Sequence, residues 1–318
     1  MNILFTNAGR RTYLIEFALE LKNNGHDIDI FVCDTNEDTA AFYVSNKIKY
    51  FITPFVTNNE ENYIKALLYK CIENKIDVII PLMDFELPVL SKNKSVFFEK
   101  NIKIWVSDEE TINNCLSKKN NYEFCIQNDI AIPTSWWNLV EAKSIKNFPV
   151  IKKAILGSGS VGLKIINNSK EIYDVDFTEF FLQEYITGQE IGMDIFNDFE
   201  GNFLSSYFRR KILMRAGETD KATTFFDSKY YELSKKISHK FSHVGNMDID
   251  FIVKENNELF FIDFNPRFGG GYPFTHKSGL NYLKAIIDIS FNKKPKFIDN
   301  PLEITGMKGL NLFFYENK

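Results

Sequence analysis

The sequence predicts an α/β fold that becomes α+β in its C-terminal part. Three observations carry this. Residues 1–107 alternate short apolar strands with helices. From about residue 148 the pattern changes to strands and hairpins. The run 247–265 reads as a single amphipathic β-hairpin. Strand–helix–strand alternation implies a parallel sheet with helices on its faces.

In the first 107 residues the strand candidates are 2–6, 29–33, 77–82 and 103–106. Between the first two, Leu14, Phe17, Ala18 and Leu21 recur at helical spacing, and Gly25 is the expected stop. A second helix is predicted over residues 60–73, with Ile64, Leu67, Leu68 and Cys71 on its apolar side. The first turn, Thr6-Asn-Ala-Gly-Arg-Arg11, holds one glycine, so the Gly-x-Gly-x-x-Gly pattern of a dinucleotide site is absent. Asn7, Gly9 and Arg10 stand where an anion could meet a helix start, but ordinary turn chemistry explains them better. Residues 108–130 read as two helices, closed by Ile132-Pro-Thr134.

Composition bounds the function classes. The 318 residues suffice for two or three domains and a large core. A net charge of −4 argues against a broad nucleic-acid-binding surface. No apolar run approaches the ~18 residues of a membrane span, and the start lacks the basic, then apolar, pattern of a signal peptide. Cys33, Cys71, Cys115 and Cys125 show no metal-ligand spacing and suit buried thiols in a reducing cytoplasm.

The hairpin carries the chemistry. Asn256-Asn257 is the predicted two-residue turn, because Asn tolerates the positive φ such turns demand. Glu255 then faces Glu258, Asp250 faces Asp263, and Asp248 faces Asn265. Residues that face each other, or stand two apart on a strand, share a face. Asp248, Asp250, Asp263 and Asn265 gather on one side, and Ile249, Phe251, Ile262 and Phe264 on the other. Directly opposed like charges are destabilising, and removing one is expected to hold or raise the stability of the metal-free protein. A divalent cation, Mg²⁺ or Mn²⁺, is the simplest compensation for an all-oxygen cluster. A solvated polar face is the alternative, and it explains poorly three acids and an Asn just before Pro266-Arg-Phe-Gly-Gly-Gly271.

Two weaker motifs precede the hairpin. A strand over residues 148–152 ends at Lys152 and leads into Gly157-Ser-Gly-Ser-Val-Gly162, then a strand over 163–166. Backbone N–H groups of such a loop can meet an anion, and Lys152 adds a point charge; taken alone, the loop reads better as a surface hairpin. In Phe180-Phe-Leu-Gln-Glu-Tyr-Ile-Thr-Gly-Gln-Glu190 the apolar run could form an adenine cleft and Glu190 could accept from ribose hydroxyls. Taken alone, that segment reads better as a buried strand and a turn.

The order of these features resembles the ATP-grasp superfamily. Lys118 comes first, then Lys152 with its Gly/Ser loop, Gln183-Glu-Tyr-Ile186, Glu190, Asp250, and Asp263-Phe-Asn-Pro-Arg267. The ending looks like that family's Glu-Ile-Asn-Pro-Arg-Phe-Gly-Gly motif, with Asp263 in place of Glu. The closest resemblance is to the carbamoyl phosphate synthase large subunit and its stand-alone relatives, through residues 3–11 and 209–218. It covers essentially the whole chain, which is too short for the two modules of a complete synthase.

The resemblance implies a Rossmann-like (pre-ATP-grasp) domain over 1–107 and a two-lobed ATP-grasp domain over 108–300, with a lid subdomain over about 130–183. A tail over 301–318 would pack on the ATP-grasp domain. It implies ATP and Mg²⁺ (or Mn²⁺) as cofactors. Lys118 and Lys152 would contact the phosphates beneath a loop formed by Gly157, Ser158, Gly159 and Ser160. Adenine would lie along Gln183, Glu184, Tyr185 and Ile186, through backbone groups of Glu184 and Ile186, with Glu190 on the ribose. Asp250, Asp263 and Asn265 would hold the metal, and Arg267, with Arg215, would stabilise the transferred phosphoryl group. Asp263 is one methylene shorter than the family's Glu, which shifts metal geometry or places a water in between. The implied activity is an ATP-dependent carboxylate–amine ligase in the cytoplasm. Its partners are small-molecule carboxylate and amine substrates, not nucleic acid or membrane, and a homodimer stays open. Two rivals stand beside it: phosphorylation of bicarbonate or carbamate, and a nucleotide-binding subunit without turnover.

Overall fold

Strands β1 (Asn2–Thr6), β2 (Asp29–Asp34), β3 (Lys49–Ile52), β4 (Val78–Pro81) and β5 (Lys103–Ile104) form a parallel sheet in the order β3-β2-β1-β4-β5. The computed structural model describes residues 1–9, 11–155 and 162–314. β1, β2 and β4 are buried on both faces, as their unbroken apolar runs require. Helix α1 (Thr12–Asn23) packs Leu14, Phe17, Ala18 and Leu21 on one face of the sheet. On the other face α2 (Glu60–Glu73) packs Tyr63, Ile64, Leu67 and Cys71, with α3 (Leu87–Lys92), α4 (Lys94–Phe98) and α5 (Glu109–Leu116) completing that layer. β3 escaped the sequence reading because it is a short, exposed edge strand with no buried period. The strand expected over 103–106 is only two residues long. In this doubly wound order the chain reverses between β1 and β4, and ligands characteristically bind outside that switch point. Residues 7–9, Arg11 and residues 82–86 flank it.

After α6 (Lys118–Gln127), β6 (Ser135–Trp136), α7 (Leu139–Ala142), β7 (Val150–Ala154), β8 (Lys164–Ile166) and β9 (Phe180–Glu184) build a small antiparallel sheet, in the order β6-β9-β7-β8. It has its own core of Ala142, Ile145, Val150, Ile166, Ile172 and Leu182. The larger sheet contains β10 (Gln189–Asn197), β11 (Phe203–Arg215), β12 (Glu218–Phe225), β13 (Gly245–Val253), β14 (Leu259–Asn265) and β15 (Thr305–Met307), in the order β14-β13-β10-β11-β12-β15. Its apolar face, including Met193, Phe208, Ile249 and Phe264, is covered by Cys115 of α5, Cys125 of α6, and Ile237 and Phe241 of α8 (Ser228–Phe241). Helices α9 (Tyr272–Lys277) and α10 (Tyr282–Ser290) pack with α1 and the N-terminal sheet in one shared core. All four cysteines are buried and free, as expected. Among the described residues no helix is long and apolar enough to cross a membrane.

The β13–β14 hairpin keeps the expected pairs, Asp250 with Asp263 and Asp248 with Asn265. Its turn is different. The Lys254 N–H donates to the Glu258 carbonyl at 2.8 Å, the Asn257 N–H donates to the Lys254 carbonyl at 2.9 Å, and Asn257 has φ 65°. The loop is therefore Glu255-Asn-Asn257, a three-residue form with a left-handed last residue, and Glu255 does not face Glu258. This shifts the register by one, so Phe251 pairs with Phe261. A bulge at Ile262 shifts it back before Asp263. The two shifts cancel, so the acids meet as expected. Phe261, not Ile262, enters the core beside Phe251, with ring centroids 5.4 Å apart.

Candidate active site

Each of the two facing carboxylates has a lysine. Lys118, the first residue of α6 after its Ser117 cap, places Nζ 2.5 Å from Asp263 Oδ1. Lys211 of β11 reaches both Asp250 Oδ2 and Glu190 Oε1 at 2.7 Å. Burial raises the Asp263 pKa, but Lys118 and the Asn265 amide, 3.0 Å from Oδ2, outweigh it and hold this carboxyl below the usual range. For Asp250 burial wins over Lys211 and pushes the carboxyl up to about 6. Among the described residues no three His, Cys, Asp or Glu side chains are placed to hold a metal ion. The donor set Asp250, Asp263 and Asn265 is nonetheless all oxygen and amide. Asp250 Oδ1 is buried without a hydrogen-bond partner in the described structure. These residues fit a hard divalent cation.

Arg267 is bound as a fork to Asp84, with Nε and Nη2 each 2.9 Å from a carboxylate oxygen. Its Nη2 also donates to Asn265 Oδ1 at 3.1 Å, and its Nη1 lies 3.8 Å from Asp248. Asp84 follows β4, so this fork ties the hairpin to the switch point. Arg209 of β11 belongs to the same polar cluster. It is buried between Asp194, at 2.6 Å, and Asp248. Asp194 also accepts from Thr275 Oγ1 at 2.5 Å. Alternation along β10 and β13 explains the burial: Asp194 and Asp248 face each other across the strands and need a cation between them. Arg215 is not brought to this cluster. It stands at the end of β11, with its side chain 61% exposed and Asp220 as its ion partner at 3.4 Å.

The small sheet supplies a different lysine from the expected one. Lys153 Nζ donates to Gln183 Oε1 at 2.7 Å, and Gln183 in turn donates to Ser135 Oγ. Burial and the nearby Lys118 charge lower the Lys153 pKa to about 8, against the attraction of Asp263 and Glu190. Lys152 points to the opposite face, with Nζ 3.9 Å from the centre of the Phe180 ring. Successive residues of a strand must face opposite sides, so only one of the pair can line the cleft. Of the predicted adenine segment, Gln183 and Ile186 are buried, Tyr185 is 38% exposed, and the Glu184 N–H donates to the Thr134 carbonyl. Gly157, Ser158, Gly159 and Ser160, like Arg10, lie outside the described residues.

At the switch point Asn7 and Gly9 have φ near 50°, and the Gly9 N–H donates to Asp34 Oδ2 at 2.9 Å. Asp34 thus closes the turn in which a dinucleotide site would need open N–H groups. Arg11 donates to the carbonyls of Leu82 and Phe268, and Tyr13 Oη to that of Gly269. The first turn therefore grips the glycine run after the hairpin.

Family models divide the chain along the same lines. Residues 3–105 match the PylC-like N-terminal domain. Residues 176–309 match the family described as ATP-grasp in the biosynthetic pathway with Ter operon. The second of these matches is to an ATP-grasp family, as the order of motifs in the sequence implied. No curated protein matches it. Among solved structures, biotin carboxylase from Campylobacter jejuni, in a β,γ-ATP complex, is similar at 17% identity and TM-score 0.73, over 91% of this chain and 70% of that one. N5-carboxyaminoimidazole ribonucleotide synthetase from Thermotoga maritima gives 17% and 0.69, over 94% and 78%. L-amino acid ligase from Bacillus licheniformis gives 15% and 0.68, over 95% and 75%. At these identities the likeness establishes the fold.

Sequence reasoning missed Lys153, Lys211, Asp84 and the Arg209–Asp194 pair. Lys211 had a signal: strand alternation from Arg209 places both on one face. Asp84 had none, because its partner Arg267 is 183 residues away.

Proposed function

We propose that the protein is an ADP-forming ligase that joins a carboxylate to an amine or similar nucleophile through an acyl phosphate. One observation carries the reading: Lys118, Lys153 and Lys211 converge on Asp263, Gln183, Glu190 and Asp250 where the two antiparallel sheets meet. Phosphoryl transfer needs mainly positioning and charge neutralisation, and this cluster offers both. Lys118 and Lys153 neutralise the triphosphate, with Lys153 in the role the sequence gave to Lys152. Glu190 accepts from ribose, and the backbone of Glu184 and Ile186 meets adenine. Asp250, Asp263 and Asn265 would hold Mg²⁺ or Mn²⁺, which when bound supplies positive charge to the phosphates. A carboxylate oxygen attacks the γ-phosphorus and ADP leaves. An amine nitrogen then attacks the acyl carbon, phosphate leaves, and the amine proton passes to solvent. Arg267, held in place by its fork to Asp84, supplies fixed positive charge beside the acyl phosphate.

Bicarbonate is the second acid to test, because the same fold occurs in a biotin carboxylase domain bound to bicarbonate. The test is ADP release by the purified protein across carboxylate, bicarbonate and amine pools. The expected products are ADP and phosphate, and AMP with pyrophosphate would refute the acyl phosphate. Arg267→Lys should keep ATP binding and lose roughly 10²-fold in turnover, because the charge survives and the fork to Asp84 that positions it does not. Unchanged turnover would remove Arg267 from this role.

A further inference from the structure

A second cavity, of about 380 Å³, opens between α3, α4, β5 and the turn that joins β10 to β11. Lys92, Lys94 and Lys103 line it, with Ser95, Phe98 and Phe199, and no carboxylate does. Lys94 Nζ and Lys103 Nζ lie 5.1 and 5.9 Å from the centre of the same Phe199 ring. Both ammonium groups thus lie within cation–π reach of one ring, which neutralises neither. Lys94 also donates to the Val106 carbonyl at 3.0 Å. Among the described residues none of the three lysines has an ion-pair partner, whereas Lys22, Lys65 and Lys277 each take one. Asp108 is the acid nearest in effect to Lys94, and its carboxylate is occupied in capping α5. The cavity is therefore a positive island on a chain of net charge −4. Beside it Phe98 is 63% exposed, an apolar ring with no cover.

The cavity shares no residue with the cluster around Asp250. Glu190 is the second residue of β10 and Phe199 follows its far end, so at ~3.3 Å per residue the two sites stand roughly 30 Å apart. Three ammonium groups suit a dianion better than a single carboxylate, and lysine is a common point-charge ligand of phosphate. A phosphate monoester brings nearly two negative charges at neutral pH. An adjoining flat ring would cover Phe98.

We propose that this cavity is a second ligand site, which binds an organic phosphate carrying a flat apolar ring. The phosphate sits among Lys92, Lys94 and Lys103, and the ring lies against Phe98. Burial already lowers the Lys94 pKa, and a bound anion relieves that cost.

Titration calorimetry of the full chain with phenyl phosphate tests this, with inorganic phosphate as the ring-free control. Phenyl phosphate should bind with Kd below about 1 mM, and inorganic phosphate about fivefold more weakly. The Lys94→Met/Lys103→Met double variant should weaken binding by about tenfold or more, and Lys92→Glu, at an exposed position, by about threefold. Should the double variant fail to fold by circular dichroism, Lys92→Glu and Phe98→Ala decide alone. Lys153→Met and saturating Mg-ATP should leave the affinity unchanged, since both act at the other site. No binding would overturn the proposal. So would equal affinity for the two phosphates, unchanged affinity in the lysine variants, or competition by ATP.

Discussion

Lys152 and Lys153 divide by the pleat of β7, and the division has a measurable consequence. Lys153→Met should weaken ATP binding by about 1–3 kcal/mol, the worth of a charge-assisted hydrogen bond. Lys152→Met, which removes a charge stacked on Phe180, should change it little. Because burial and Lys118 lower the Lys153 pKa to about 8, ATP affinity of the unmodified protein should fall as pH rises through 8, and Lys153→Met should flatten that fall. The sign for folding is opposite. The unfolded chain holds this proton up to the ordinary 10.5, so the group's contribution to stability rises between pH 8 and 10.5. Nucleotide titrations at pH 7 and 9 check the first claim, and a profile flattened in Lys152→Met but not in Lys153→Met would return the role to Lys152.

At the scale of the element, the hairpin shows both what a sequence says and where it stops. The Asp250–Asp263 pair was legible because alternation and a turn signal are local. The loop length and the bulge were not, because which of Phe261 and Ile262 enters the core depends on the helices packed behind. The lysine partners reverse one expectation. Two facing carboxylates alone predict that Asp263→Asn holds or raises stability. With Lys118 paired to Asp263, the same change leaves a half-buried ammonium without its carboxylate. It should cost about 1–3 kcal/mol by denaturant unfolding. A stability gain would mean that repulsion still dominates. The glycine run after the hairpin answers to space rather than to backbone freedom. Gly271 has φ −84°, open to any residue, yet a Cβ there would collide with the Arg209 guanidinium. Gly271→Ala should therefore destabilise by about 1–3 kcal/mol through overpacking. Thermal unfolding with no loss would show that Arg209 can move aside.

The whole molecule is held by a core that ignores the boundary between its N-terminal and C-terminal halves. Phe17 stacks on His276 at 3.6 Å, Trp105 on Phe196 at 6.1 Å, and Arg11 grips Phe268. Two buried histidines make this assembly acid-sensitive. His243 lies between Asn197 and the Ile195 carbonyl, and burial lowers its pKa from 6.5 to about 4. His276 falls to about 3, through burial and then Lys277. Unfolded, each takes its proton near 6.5; folded, each refuses it. Their contribution is thus fully present above pH 6.5 and is lost as pH falls toward 4, by roughly 3 kcal/mol for His243. Urea midpoints at pH 7 and 5 should show the drop, and His243→Gln should reduce it. A flat profile would mean that the buried rings protonate freely in the folded protein.

The sequence by itself determined the alternating N-terminal sheet, the facing acids, and the order of lysine, glycine loop, acids and arginine that pointed to ATP-grasp. Each of these is set by neighbours within a turn, a helix or a hairpin. Only the tertiary structure decided which lysine of 152 and 153 bonds Gln183, that Arg209 is buried, and that Arg215 stands apart. The same holds for the pairing of Lys118 with Asp263 across 145 residues and of Arg267 with Asp84 across 183. A charged side chain has no face of its own in sequence. Its place is fixed when distant strands and helices close around it, because a buried charge must find its counter-charge wherever the fold brings one.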